Sequence, residues 1–81
     1  MRKYPARYRA IINAIQEIRR EKGVSQRALS EKLGEVHNYM NMIEKGQRNV
    51  LAEEMIEIPL ALGVDPHELL DRALKRGRKS S

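Results

Sequence analysis

Apolar residues recur every three or four positions along almost the whole chain, the spacing of amphipathic helices. A first helix is predicted over about residues 5–22, with Tyr8, Ile11, Ile12, Ile15 and Ile18 on one stripe, Pro5 in its first turn and Gly23 past its end. A second begins at Ser25, a good N-cap, and buries Leu29 and Leu33 before Gly34 turns the chain. A third covers about residues 37–45, with Met40 and Ile43 inward and Gly46 at its end. A fourth spans about residues 51–62, where Leu51, Met55, Ile58 and Leu62 share an inner face and Gly63 closes it. The fifth opens on Asp65-Pro66-His67-Glu68, a capping Asp, a first-position proline and a third-position Glu, and continues through Leu69, Leu70, Ala73 and Leu74. The pattern predicts an all-α, five-helix fold in one domain over residues 5–74, with a basic arm at 1–4 and a basic, fraying tail at 75–81.

Two features disturb the fourth helix. Pro59 removes a backbone donor and crowds the carbonyl of Met55, which predicts a kink or an earlier break. Ile56 and Leu60 lie off the inner face, so more than half of the circumference is apolar. Either a partner subunit or the fifth helix covers them. With Leu70 and Leu74 they form the candidate dimer contacts.

Composition narrows the class. Eighty-one residues without cysteine exclude disulfides and thiolate chemistry. A domain this small buries only about 60% of its unfolded surface, so association would help it. With no Phe, no Trp and three Tyr, a multilayered sheet is disfavoured. No run approaches the roughly 20 apolar residues of a membrane span, and no secretion signal is recognisable. A cytoplasmic location is therefore expected. The net charge of +5 is unevenly spread. Residues 1–9 and 75–81 each carry four cations and no acid, and 19–48 are also net basic. By contrast, 49–74 hold six acids against Arg72 alone. A polyanion is attracted to one side and repelled from the other.

Residues 25–45 form a helix-turn-helix signature: a short capped helix, a glycine turn, and a second short helix leading into Glu44-Lys45-Gly46-Gln47-Arg48. Across residues 18–64 the chain resembles the lambda Cro and repressor-like family, often called the xenobiotic-response-element (XRE) family. The resemblance rests on Arg19, Gly23, Ser25-Gln26, Leu29, Leu33-Gly34, Ile43-Glu44, Gly46, Arg48 and Ala61-Leu62-Gly63-Val64. It implies a compact five-helix lambda-repressor-like domain that binds operator DNA, usually as a homodimer, and regulates transcription. Four positions depart from the family pattern. Ser30 stands where Ala is usual between the two helices. Glu35 replaces an apolar residue after the turn glycine, with Val36 as the neighbour that fills the gap. Leu51 occupies a usually polar cap, and Pro59 is atypical.

The residues of the third helix left outward by Met40 and Ile43 are His37, Asn38, Tyr39, Asn41 and Met42. By correspondence with the family, His37, Asn38 and Met42 point into the major groove, with Asn41 toward its edge. Asn38 can pair with adenine N6 and N7, His37 can donate to guanine, and Met42 can meet a thymine methyl. Gln26, Arg27, Lys45 and Arg48 are the candidates for phosphate contact. Tyr39 is expected beside a sugar-phosphate strand, with core burial as the alternative. The resemblance assigns Arg19 and Glu44 to a semi-buried ion pair between helix one and the recognition helix. The third helix carries no charge between Val36 and Ile43, so affinity must come from its flanks and from the basic ends.

Catalysis finds no constellation. His37 and His67 sit on different helices without carboxylates at metal spacing, and there is no glycine-rich phosphate loop. No cofactor is called for. The leading expectation is a homodimeric repressor on a pseudopalindromic operator. The alternatives are an antitoxin, a restriction–modification controller, or a protein-interaction module using the acidic fourth and fifth helices.

Overall fold

The apolar stretches fold into five helices: α1 (Ala6–Glu21), α2 (Gln26–Lys32), α3 (Tyr39–Glu44), α4 (Glu54–Ala61) and α5 (Pro66–Lys79). The structure, a computed structural model, describes the backbone of residues 6–79 and the side chains of 6–75. No strand occurs among the described residues. Residues 1–4 and Pro5, which carry the basic arm and the first-turn proline, lie outside them. The same is true of the side chains of 76–81, which carry most of the tail's charge.

The first four helices end in one device. In each, the glycine amide bonds three residues back and the following amide bonds five residues back. The pairs are Gly23 to Arg20 with Val24 to Arg19, Gly34 to Glu31 with Glu35 to Ser30, Gly46 to Ile43 with Gln47 to Met42, and Gly63 to Leu60 with Val64 to Pro59. This double closure satisfies the last free carbonyls and needs a left-handed residue, a φ of 68–77° at these glycines. At Gly34 an added Cβ would meet nothing within 4 Å, so backbone strain alone reserves the turn for glycine.

One core joins all five helices. Ala14, Ile15 and Ile18 of α1, Leu29 of α2, Tyr39, Met40 and Ile43 of α3, Ile58 and Leu62 around α4, and Leu69 and Ala73 of α5 form a single buried cluster. The most extensive helix pairing is α1 on α5, where Ala10, Ala14 and Ala73 are all buried.

Three expectations change. Helix α4 starts at Glu54 rather than 51, because residues 51–53 form a turn whose Leu51 carbonyl accepts from Glu54 and Met55. Leu51 is consequently exposed, and Val50 packs on the core instead. The helix does not break before Pro59, which lies inside it and is fully buried, and the inner face is Met55, Ile58, Pro59 and Leu62. Helix α5 continues through residues 75–79 instead of fraying after Leu74.

Candidate nucleic-acid interface

The second helix of the motif is only six residues long, too short to hold itself in water. Its orientation is imposed from outside, at both ends and in the middle. At the C-terminal end Glu44 receives four hydrogen bonds. Arg19 donates from Nε to Oε2 at 2.7 Å and from its terminal nitrogen to Oε1 at 3.0 Å; Gln16 and Gln26 donate to Oε1 at 3.0 and 2.8 Å. The Arg19 and Glu44 side chains are 9% and 2% exposed. Arg19 also donates to the Val24 carbonyl at 2.8 Å, fixing it to the chain just past α1. Burial pushes the Glu44 carboxyl up. The bonds from Arg19, Gln26 and Gln16, with the Arg19 charge, outweigh it and hold the group below the usual carboxylate range.

In the middle, Ser30 links the two helices of the motif. Its hydroxyl donates to the Gln26 carbonyl at 2.8 Å and accepts from the Met40 amide at 3.0 Å, with the residue fully buried. A residue that departs from the family's usual Ala thus adds a polar pin where the helices cross.

At the N-terminal end the anchor is Tyr39. It is 1% exposed, so the expected position outside, against a sugar-phosphate strand, is corrected. A six-residue helix presents too few turns for its inner face to be read by period alone, and Tyr39 joins Met40 and Ile43 on it. Its hydroxyl donates to Glu54, which also accepts from the Leu51 amide at 2.8 Å. Burial, then the bond to Glu54, pushes the phenol up, so it stays a donor. Arg48 lies over the ring, 4.7 Å from its centre, and donates to Glu54 at 3.4 Å. This cation, expected on a phosphate, thus also faces Tyr39 and Glu54, while its side chain remains 37% exposed.

What remains outward is a row of neutral side chains. His37 and Asn38 are exposed and have no partner among the described residues. Asn38 occupies the N-cap of α3, but its backbone (φ −94°, ψ 12°) is not that of a capping residue and its side chain makes no cap bond. Its amide is left free for another molecule. Met42 and Asn41 are half-buried; Asn41 donates to Gln26 Oε1 at 3.2 Å. Gln26 is thus held on both sides, by Glu44 and Asn41, and keeps one amide hydrogen for a phosphate. Of the other flanking cations, Lys45 is exposed, and Arg27 is exposed with a loose bond to Glu31 at 3.3 Å.

Sequence reasoning missed Gln16 and Glu54. Gln16 lies three residues before Arg19 on the same face of α1, a spacing that could have found it. Glu54 stands three residues after Leu51, the reaching-back half of a capping box. Val36 was expected to fill the gap left by Glu35; both are exposed. Ile56, Leu60, Leu70 and Leu74 are each about half exposed, so α5 does not cover the outer face of α4. No group of acidic or histidine residues among the described residues could hold a metal ion, and no helix is long and apolar enough to cross a membrane.

Comparisons with known proteins agree with this geometry. A helix-turn-helix family model matches residues 15–69. An uncharacterized HTH-type transcriptional regulator, y4dJ of Sinorhizobium fredii (strain NBRC 101917 / NGR234), is 36% identical over 53 residues, or 65% of this chain and 69% of that protein. The crystal structure of the clp gene regulator ClgR from Corynebacterium glutamicum has a TM-score of 0.81, covering 98% of this chain and 83% of its own, at 25% identity. Such homologues are DNA-binding transcription regulators, not enzymes.

Proposed function

The chain belongs to the XRE-type helix-turn-helix family of DNA-binding transcription regulators, and from that premise we propose that it acts as a homodimeric repressor on a pseudopalindromic operator. Helix α3 enters the major groove. His37, Asn38 and Met42 meet base edges, with Asn41 at the groove's margin. Lys45, Arg27 and the free amide hydrogen of Gln26 meet phosphates and set the register. The observation that carries this reading is the pair His37 and Asn38, exposed side by side without internal partners, on a helix locked behind them by Glu44 and Tyr39. The dimer is supported by the uncovered ridges Ile56–Leu60 of α4 and Leu70–Leu74 of α5. Half-sites then lie about one helical turn apart.

Selection from a random duplex library at about physiological salt tests the proposal. An enriched two-fold-symmetric site is expected. Salt-sensitive retention with no enriched sequence would overturn it. A second reading, a module that docks a protein partner as an antitoxin does, is favoured by exposed Leu51, Ile56 and Leu60 standing among Glu53 and Glu57. Stoichiometric recovery of a protein without DNA retention would select it.

A further inference from the structure

We propose that Val36 is a specificity-determining residue that reads the methyl group of a thymine in the operator; the inference rests on the DNA-binding reading above. The chain has four valines. Val24, Val50 and Val64 pack against the core, whereas Val36 is 61% exposed and belongs to no hydrophobic cluster. It opens the turn that leads into α3: its carbonyl accepts from the Tyr39 amide at 3.1 Å, and the next two residues are His37 and Asn38, whose side chains have no partner among the described residues. An apolar, β-branched side chain therefore stands in line with the polar groups that face DNA. Among the described residues it is not part of the core cluster, whose members Tyr39, Met40 and Ile43 fill the core side of this segment.

The major groove presents one apolar group, the C5 methyl of thymine. A branched hydrocarbon carried at the leading edge of the recognition helix has that group as its match. A polar residue here would suit a solvated turn better, and cover by an apolar group would favour the valine.

The test uses the full chain and the operator recovered by duplex selection, with each thymidine replaced in turn by deoxyuridine, which lacks only the methyl. Wild type is expected to lose about fourfold in affinity at one thymine of each half-site through Val36, the factor that burying one methyl is worth. Val36→Ser should bind the thymine operator about fourfold more weakly and lose the uracil penalty at that position, with an unchanged or raised Tm. Val36→Ile should restore the penalty. Met42→Ala should leave that thymine's penalty in place and abolish one elsewhere. A uracil profile identical in Val36→Ser and wild type, or a lowered Tm that accounts for the weaker binding, would overturn the inference while leaving the regulator reading intact. If selection enriches no site, the regulator reading fails first and Val36's role falls with it.

Discussion

Two charged clusters tie this small fold together, and they are inverted images of each other. In one, a buried anion, Glu44, is ringed by donors from α1 and α2, namely Arg19, Gln16 and Gln26. In the other, a cation on α5, Arg72, is ringed by the carboxylates of Glu68, Glu17 and Glu21 at 2.8–3.2 Å. The first cluster is neutral and nearly sealed from water. The second carries excess negative charge, and its carboxylates are 38–51% exposed. Both join elements distant in sequence, but only the first is hard to take apart. Removing one partner inside leaves a desolvated charge with nothing to face, whereas water replaces a lost partner outside. The costly cluster sits behind α3 and fixes its orientation, and the forgiving one lies on the α1–α5 seam.

The largest expected effect breaks the inner cluster. Glu44→Ala should cost about 3–5 kcal/mol by stranding Arg19, and lower Tm by more than about 10 °C in thermal unfolding followed by circular dichroism. A loss of under about 1 kcal/mol would mean that the two clusters are energetically alike. Gln26→Ala comes next, at about 1.5–3 kcal/mol, the range for a hydrogen bond to a charged group. It should also release Asn41, and so weaken specific DNA binding more than its stability loss alone explains; equal losses would confine Gln26 to the scaffold. Arg72→Ala should cost no more than about 1 kcal/mol, and its effect should shrink in 0.5 M salt, because exposed pairs are screened within roughly a Debye length. An undiminished loss at high salt would show this cluster to be as sheltered as the first.

Acid separates the clusters most finely. Glu44 and Glu21 are both held below the ordinary carboxylate range, Glu44 by its donors against the opposing effect of burial and Glu21 by the bond from Arg72. Each therefore takes up a proton more readily unfolded than folded. The stability they contribute is complete above the unfolded value of about 4.3 and is lost as pH falls through the folded value. In urea titrations between about pH 5 and pH 2, Glu44→Gln should flatten the acid limb at any salt concentration, whereas Glu21→Gln should flatten it only at low salt. Equal salt sensitivity of the two variants would contradict the assigned burial.

Much of this is legible in the sequence. Ser25, Gly34 and Gly46 frame the motif, and Asp65-Pro66 opens α5. The Arg19–Glu44 pairing was reached through family resemblance, since 25 residues separate the partners and no local pattern links them. Tyr39 was misassigned because both faces of so short a helix fit an amphipathic aromatic residue. Val36 was misassigned because an apolar residue beside a turn usually packs. Gln26, placed by its position at the start of α2, and Arg48, placed by its flank of the motif, also have partners inside the chain that no local pattern reveals.

The sequence by itself determined that five helices form, that the first four close at glycines, and which stripe of α1 and α5 is apolar. Those properties arise within a few residues, from caps, left-handed glycines and a 3.6-residue period. Tertiary structure alone decided that Tyr39 turns inward to Glu54, that Gln16 and Gln26 join Glu44, that Pro59 lies against the core and that Val36 faces out. Each of those outcomes depends on a partner, or the lack of one, from a distant segment. Periodicity tells which side of a helix is apolar, but only the packed neighbours determine which polar groups are already satisfied and which are left for DNA.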